Sequence, residues 1–138
     1  MKRERVTGIG GVFFKAKDPG RLMEWYSRHL GIEPMQKGES SAMFHWREKE
    51  DPDRLGYTVW AIFPSGTKYF DPSKSEFMVN FRVNDLDRVL KDLKNEGVRV
   101  DEKIEEYDYG KFGWIIDPEG NRIELWEPKG PAITPNKS

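Results

Sequence analysis

The sequence predicts an α+β fold made of two βαβββ modules in tandem, and three observations support this prediction. The stretches "GGVFFKAKDPGRLMEWYSRHLGI" and "FMVNFRVNDLDRVLKDLKNEGVRV" share one order: strand, aspartate-led turn, helix, glycine stop. Asp18 and Asp85 fix their separation at 67 positions (85 − 18 = 67). Three short strand patterns follow each helix. Because such a module cannot bury both faces of its sheet, we expect a curved mixed sheet that encloses a cleft.

Both predicted helices show an apolar stripe at helical spacing between a start and a stop signal. Asp85 is predicted to be an N-cap, and Gly31 and Gly97 are predicted to end the two helices. The apolar positions are Leu22, Trp25, Tyr26 and Leu30 in the first helix and Leu86, Val89, Leu90 and Leu93 in the second.

The strands that follow the helices define the module boundaries. They are predicted at about 33–37, 42–47 and 57–63 in the first module and at 98–107, 111–116 and 122–127 in the second. The chain 1–138 is therefore interpreted as one domain, with module one at about 6–64, a linker at 65–75, module two at about 76–128 and a flexible tail at 129–138. Lys68, Tyr69 and Phe70 of the linker either cover the cleft mouth or merely connect the modules.

Composition excludes several classes of function. Acidic and basic residues nearly balance, 24 against 23, so no global charge favours nucleic acid or a membrane surface. Cysteine is absent, which excludes disulfides, thiolate metal sites and a cysteine nucleophile. The chain shows neither a signal-peptide pattern nor an apolar run of roughly 20 residues. We expect a soluble, cytoplasmic protein without nucleic-acid or membrane partners.

Strand alternation assigns side chains to the core or to the cleft. On the last strand, Ile123 and Leu125 are assigned to the core, which leaves Glu124 and Trp126 in the cleft. On the strand at 57–63, Trp60 is assigned to the cleft. The complete predicted lining is Phe13, Lys15, Phe44, Trp46, Trp60, Ile62, Met78, Asn80, Arg82, Phe112, Trp114, Glu124 and Trp126.

A carboxyl group among tryptophans is expected to have a raised pKa unless a cation neutralises it. Arg82 or Lys15 could neutralise Glu124, and otherwise a bound cation would. A buried carboxyl group of this kind is also a candidate general acid or base, so Glu124 is the first candidate catalytic residue. His45 is the second. If Phe44 and Trp46 face inward, alternation turns His45 away, and a one-residue bulge would reverse that assignment.

The motifs "FKAKDPGRLMEWYSRHLGI" and "YGKFGWIIDPEGNRIELWEP" resemble those of the vicinal oxygen chelate superfamily. This superfamily includes glyoxalase I, extradiol dioxygenases, fosfomycin-resistance thiol transferases and bleomycin-resistance proteins. The resemblance covers about residues 6–128. It implies the tandem βαβββ fold and a homodimer, whereas the chemistry has to be argued from the site because one scaffold hosts many reactions.

In metal-dependent members of the superfamily, four positions converge on a divalent ion. The resemblance places them at Gly11, Trp60, Met78 and Glu124. Of these only Glu124 can bind a hard or borderline divalent ion, since glycine offers no side chain, indole no lone pair, and methionine only a soft thioether. We therefore expect no metal site and no cofactor. The alternative is a divalent metal that is supplied in an unconventional way.

Three functions remain compatible with these residues. The first is a metal-independent binding module with an aromatic cleft for a small molecule, similar to bleomycin-resistance proteins. The second is a glyoxalase-like lyase, isomerase or epimerase that uses Glu124 as a base or metal ligand. The third is a non-catalytic dimeric protein, structural or regulatory, whose cleft is filled by its own side chains or by a partner subunit. The missing ligand positions favour the first.

Overall fold

The computed structural model describes residues 5–129 of the chain, and a curved eight-stranded sheet with two helices organises them. The elements are β1 (Val6–Ala16), α1 (Pro19–Leu30), β2 (Ser41–Arg47), β3 (Leu55–Pro64), β4 (Phe77–Val83), α2 (Leu86–Asn95), β5 (Arg99–Val100), β6 (Glu105–Tyr107), β7 (Gly110–Ile116) and β8 (Arg122–Pro128). The predicted α+β class and mixed sheet are confirmed. Residues 130–138 of the predicted tail lie outside the described residues.

The sheet runs in the order β2-β3-β1-β4-β8-β7-β5, and β6 pairs with β7. Strands β1 and β3, and likewise β4 and β8, are parallel, while β1 and β4 meet antiparallel where the modules join. Across that junction Gly11 pairs with Asn80, and Phe13 pairs with Met78. A shift of 67 positions (78 − 11 = 67 and 80 − 13 = 67) exchanges these pairs. The modules are therefore related by a pseudo-twofold axis at the junction.

The helix boundaries agree with the capping signals. The side chains of Asp18 and Asp85 each accept a hydrogen bond from the backbone N–H three positions on, at 3.1 and 3.2 Å. Gly31 ends α1 with φ at 70°, and Gly97 follows α2 with φ at 86°. Both angles lie in the left-handed region that glycine adopts without a steric penalty. The predicted N-cap and both predicted helix stops are confirmed.

Two strand predictions need correction. The stretch 33–37 is a loop, and 98–107 contains only the short strands β5 and β6. The first stretch contains a proline, and both contain charged residues that give little apolar surface to bury. None of the helices formed by residues 5–129 is long and apolar enough to cross a lipid bilayer.

The side chains of strand β3 lie on the opposite faces of the sheet from those predicted. Trp60 packs against Tyr26 of α1, with ring centroids 4.7 Å apart, and Ile62 is buried in the same core with Met23. Val59, Ala61 and Phe63 instead share the cleft side with Phe13 and Met78; Ala61 and Val59 contact that cluster directly. Both rows of this strand are mainly apolar. Alternation therefore predicts which residues share a face but not which face points into the cleft. The assignment of Trp60 and Ile62 to the cleft was wrong.

Candidate functional site

A cleft of about 310 Å³ lies between the two modules on the sheet face that the helices leave open. Its floor holds two buried polar side chains, Asn80 of β4 and Glu124 of β8, each 2% exposed. The walls are otherwise apolar or aromatic. The lining consists of Gly10, Phe13, Met35, Met43, Tyr57, Val59, Asn80, Tyr109, Phe112, Glu124 and Trp126.

Glu124 is held by three hydrogen-bond donors from three parts of the chain. Asn80 on the neighbouring strand donates Nδ2–H to Oε1 at 2.6 Å, and the register of β4 and β8 places these residues side by side. Trp114 on β7 pairs directly with Glu124 and donates its indole N–H to Oε2 at 3.0 Å. The hydroxyl of Tyr69, in the linker between the modules, donates to the same oxygen. Glu124 therefore lies at the floor of the cleft.

Burial raises the pKa of Glu124 above its ordinary value, because desolvation disfavours the charged carboxylate. The hydrogen bonds from Tyr69, Asn80 and Trp114 and the positive charge of Arg122 act in the opposite direction without cancelling the effect of burial. The pKa of Tyr69 is also raised, first by burial and then by the negative charge of Glu124. The hydroxyl of Tyr69 therefore stays protonated and acts as a donor.

Neither cation predicted to neutralise Glu124 forms an ion pair with it. The ammonium group of Lys15 lies over the ring of Phe70, 5.2 Å from its centroid. The guanidinium group of Arg82 lies among the aromatic rings of Trp46, Tyr57 and Trp126. The cation that does act on Glu124 is Arg122, two positions before it on the same strand. Alternation on one face brings these two side chains together.

Arg82 occupies a cage of three aromatic rings. Its guanidinium carbon lies 5.1 Å from the centroids of Trp46 and Trp126 and 5.6 Å from that of Tyr57. No carboxylate of residues 5–129 lies within ion-pair distance of this guanidinium, and its one described hydrogen bond goes to the carbonyl of Tyr57 at 3.5 Å. Burial accordingly lowers the pKa of Arg82. Arg82 thus joins strands of both modules through cation–π contacts.

The linker fills one end of the cleft. Phe70 is fully buried against Phe13, Ala61 and Met78. Tyr69 stacks on Phe63, with ring centroids 5.7 Å apart. Tyr69 and Phe70 thus pack beside the cleft, at the end where Met78 is buried, and whether the segment covers the cleft mouth stays a prediction.

The four positions that the resemblance assigns to a divalent ion do not form a ligand set. Gly11 has no side chain, Trp60 packs beneath α1, and the Met78 thioether is buried among apolar groups. The fourth, Glu124, already accepts hydrogen bonds from three donors. Within residues 5–129, no group of three or more histidine, cysteine, aspartate or glutamate side chains could hold a metal ion. These residues do not fit a metal centre of the usual kind.

The predicted lining residues fall into three groups. Those that line the cleft are Phe13, Asn80, Phe112, Glu124 and Trp126. Those that are buried directly beside it are Met78, Arg82 and Trp114. Those that lie outside it are Lys15, Phe44, Trp46, Trp60 and Ile62. Whether any of them binds a ligand stays a prediction.

Strand β2 also faces opposite to the prediction. Met43 lines the cleft, whereas Phe44 is 46% exposed and does not. His45 is exposed on the row of Met43, and its ring lies 6.3 Å from that of Tyr57. No bulge interrupts the pairing of β2 with β3, so the whole row is reversed rather than shifted at one residue. His45 is outside the lining of the cleft.

Several site residues were absent from the predicted lining. They are Gly10, Met35, Met43, Tyr57, Val59, Tyr69, Tyr109 and Arg122. Arg122 shares a strand and a face with Glu124, so alternation could have identified it. Tyr69 and Met35 lie in loops without periodicity, where no sequence pattern gives a direction.

Comparison with solved structures shows the same fold at low sequence identity. The methylmalonyl-CoA epimerase of Mycobacterium tuberculosis is 22% identical, with a TM-score of 0.57 over 94% of this chain and 93% of that one. A Streptomyces coelicolor methylmalonyl-CoA epimerase variant in complex with 2-nitronate-propionyl-CoA is 17% identical, with a TM-score of 0.67 over 94% and 100% of the two chains. A glyoxalase/bleomycin resistance protein/dioxygenase superfamily member from Vibrio splendidus 12B01 is 13% identical, with a TM-score of 0.54 over 89% and 97%.

No curated protein matches the chain. The sequence profile of the Glyoxalase-like domain family matches residues 11–126, from the junction strand of module one to the last strand of module two. The match and the structural neighbours confirm the resemblance to the vicinal oxygen chelate superfamily. By this match and by its fold, the chain belongs to the Glyoxalase-like domain family.

Proposed function

We propose that this protein binds a small, mainly apolar molecule in the cleft and does so without a metal ion. The observation that carries the proposal is the cleft of about 310 Å³, with aromatic and thioether walls over a floor of two buried polar residues, Asn80 and Glu124. Small-molecule sites have this composition, and this volume is at the small end of their usual range of about 300–1,000 Å³.

The aromatic walls are arranged to receive a flat group. Phe112 and Trp126 stack with ring centroids 5.8 Å apart and an interplanar angle of 5°. Tyr57 of the other module meets Trp126 edge-on at 5.3 Å. Tyr109, which is 53% exposed, extends the wall outward from Phe112 at 5.7 Å. Aromatic rings thus line the cleft from both modules, and such rings favour offset-stacked or edge-to-face contacts with a planar ligand.

The surroundings of Glu124 support the proposal of metal-free binding, because protein groups already interact with its carboxylate. Three donors surround it, and Arg122 adds a positive charge. A metal ion would have to displace Tyr69 or Asn80 to reach the carboxylate and would find no second carboxylate or imidazole there. Catalytic zinc normally keeps three protein ligands, so such a site would be weak.

The methionines provide a direct test by NMR. Met35 and Met43 line the cleft, whereas Met23 is the buried residue of α1, packed in the core with Ala42 and Ile62, and serves as an internal control. The protein, labelled with ¹³C-methyl methionine, is titrated with benzylamine, benzyl alcohol, benzyl methyl ether and benzoate. We expect saturable shifts of the Met35 and Met43 methyl resonances with at least one compound and no shift of Met23. If no compound shifts the cleft methyls saturably, or if Met23 moves equally, the proposal is wrong.

A second candidate function is acid/base catalysis by Glu124. Burial raises the pKa of Glu124 above its ordinary value, and the residue lines the cleft, as a general acid or base must. Two of the three structural neighbours described above are methylmalonyl-CoA epimerases, and this likeness of fold selects the probe. The protein is incubated with methylmalonyl-CoA in D₂O. Deuterium incorporation at the carbon next to the thioester that is lost in Glu124→Gln would support this function, and its absence in the unmodified protein would exclude this substrate.

A further inference from the structure

We propose that the ligand of the cleft carries an N–H or O–H donor on its apolar body and that Asn80 and Glu124 select this donor. The inference rests on the proposed binding function and adds the chemical class of the ligand. Its basis is the direction of every hydrogen bond at the cleft floor.

Three donor groups at the floor are directed at the carboxylate of Glu124. Asn80 Nδ2 donates to Glu124 Oε1 at 2.6 Å, and Trp114 Nε1 donates to Oε2 at 3.0 Å. The hydroxyl of Tyr69 also donates to Oε2, and its raised pKa keeps its proton in place. Each of these groups points toward the carboxylate. A ligand that arrives from the cleft therefore finds acceptors at the floor.

The first acceptor is the amide oxygen of Asn80. Oδ1 is buried and has no hydrogen-bond partner among residues 5–129. When Glu124 is ionised, the amide cannot turn to relieve this, because its oxygen would then face Oε1 of Glu124, and two acceptors would stand at 2.6 Å. A buried acceptor without a partner is costly, and a ligand donor would remove that cost.

Glycine at position 10 leaves space at this oxygen. A Cβ atom there would lie 2.2 Å from Asn80 Oδ1, well inside contact distance. Gly10 is also the extra residue where the pairing of β1 with β4 shifts between Ile9 and Gly11. The irregular strand and the missing side chain together let the amide oxygen pack against Gly10, and both residues line the cleft.

The second acceptor is Oε1 of Glu124. Among residues 5–129, this oxygen accepts only from Asn80, whereas Oε2 accepts from two donors. A carboxylate oxygen has two lone-pair directions, so Oε1 keeps one. The positive charge of Arg122 is shared, since its guanidinium donates to the carbonyl of Tyr69 and lies 3.8 Å from Asp101. The floor therefore accepts a neutral donor or a cationic one and disfavours an anion.

The four phenyl compounds of the NMR titration differ only in the group attached to the ring and test the inference on the unmodified protein. At mildly alkaline pH we expect benzylamine and benzyl alcohol to bind about tenfold more tightly than benzyl methyl ether, and benzoate to bind most weakly. Tighter binding of benzylamine than of benzyl alcohol would show that the cleft prefers a cationic donor. Equal affinities would show that it accepts neutral and cationic donors alike. If the ether or benzoate binds as tightly as the alcohol, the inference is wrong while the binding function stands.

The variant Glu124→Gln tests the selecting pair itself. A glutamine carbonyl can still accept from Tyr69 and Trp114, but its amide N–H₂ then faces Asn80, which must turn and direct its own N–H₂ into the cleft. We expect the affinity ratio of benzylamine to benzyl methyl ether to fall about tenfold. The matched control is Glu119→Gln in the exposed β7–β8 turn, which should leave the ratio unchanged. An unchanged ratio in folded Glu124→Gln would overturn the inference, and if this variant does not fold, the ranking on the unmodified protein decides.

Discussion

The Tyr69 hydroxyl of the linker donates a hydrogen bond to Oε2 of Glu124 on the last strand of the sheet. Tyr69 is 37% exposed, whereas Glu124 is 2% exposed. The carboxylate that the family resemblance assigns to a metal ion is therefore bound by a side chain from the segment between the modules. This contact ties the linker to the cleft floor and makes Tyr69 a structural determinant of the site.

Replacing Tyr69 by phenylalanine removes this donor and keeps the ring. Hydrogen bonds to charged groups contribute about 1.5–3 kcal/mol, and because Tyr69 is partly exposed we expect a loss of about 1–2 kcal/mol in the free energy of unfolding. Urea denaturation measures the loss. Tyr26→Phe is the matched control, because the Tyr26 ring packs on Trp60 and no described hydrogen bond involves its hydroxyl. Equal effects of the two substitutions would contradict a role for the hydroxyl of Tyr69.

The raised pKa of Glu124 predicts how stability depends on pH. Folding raises this pKa, so the folded state binds more protons than the unfolded state between the unfolded pKa, 4.5, and the higher folded value. The contribution to stability is present in full below the unfolded pKa and is lost as the pH rises through the folded pKa. The groups that face Glu124 are Tyr69, Asn80, Trp114 and Arg122. Asn80 and Trp114 carry no titratable group, and burial raises the pKa of Tyr69 further above this window.

Melting temperatures of the unmodified protein and of Glu124→Gln, measured from acid to alkaline pH, test this sign. Since glutamine does not titrate, the stability of the unmodified protein relative to the variant should fall with rising pH. A difference that grows with rising pH would show that the folded-state pKa is lowered, and a constant difference would show that it is unshifted.

Gly10→Ala should close the floor of the cleft. The new Cβ would lie 2.2 Å from Asn80 Oδ1 and 3.0 Å from ring atoms of Trp126, and the packed core leaves little room to adjust. We expect a loss of about 1–3 kcal/mol in the free energy of unfolding, as for overpacked cores, together with weaker binding of benzyl alcohol. Gly66→Ala is the matched control, because a Cβ there meets nothing within 4 Å. Unimpaired binding in folded Gly10→Ala would contradict the described floor.

Arg82→Lys tests the aromatic cage. Lysine keeps the charge but lacks the planar group that stacks on Trp46 and Trp126, so we expect a loss of about 1–2 kcal/mol in the free energy of unfolding. Guanidinium chloride denaturation measures it. The control Arg28→Lys changes an exposed arginine of α1 and should have little effect. A neutral result for Arg82→Lys would show that charge alone suffices at this position.

The donor set at Glu124 predicts that divalent metals do not stabilise the protein. An ion bound in the folded state at 100 times its dissociation constant would add about 2.7 kcal/mol. We expect the melting temperature to stay unchanged on addition of Zn²⁺, Ni²⁺ or Mn²⁺ in excess. A rise of several degrees that Glu124→Gln abolishes would contradict the metal-free interpretation of the site.

The predictability of the site differs from strand to strand. On β4 and β8 one row is apolar and the other contains Asn80 or Glu124, so alternation assigned both residues correctly to the cleft. On β3 both rows are apolar, and Trp60 was assigned to the wrong face. A polar side chain is costly to bury among apolar side chains without a hydrogen-bond partner, so it fixes which row faces the helices, whereas two apolar rows satisfy either direction.

The sequence by itself determined the repeat, the capped helices and the mixed sheet, because these depend on local periodicity and on the conformations of residues such as Asp85 and Gly31. Only the tertiary structure decided that Tyr69 meets Glu124, 55 positions further along the chain, and that Arg82 lies in a cage of aromatic rings. The physical reason is that loop direction and face selection depend on packing between distant segments, for which no local pattern of residues exists.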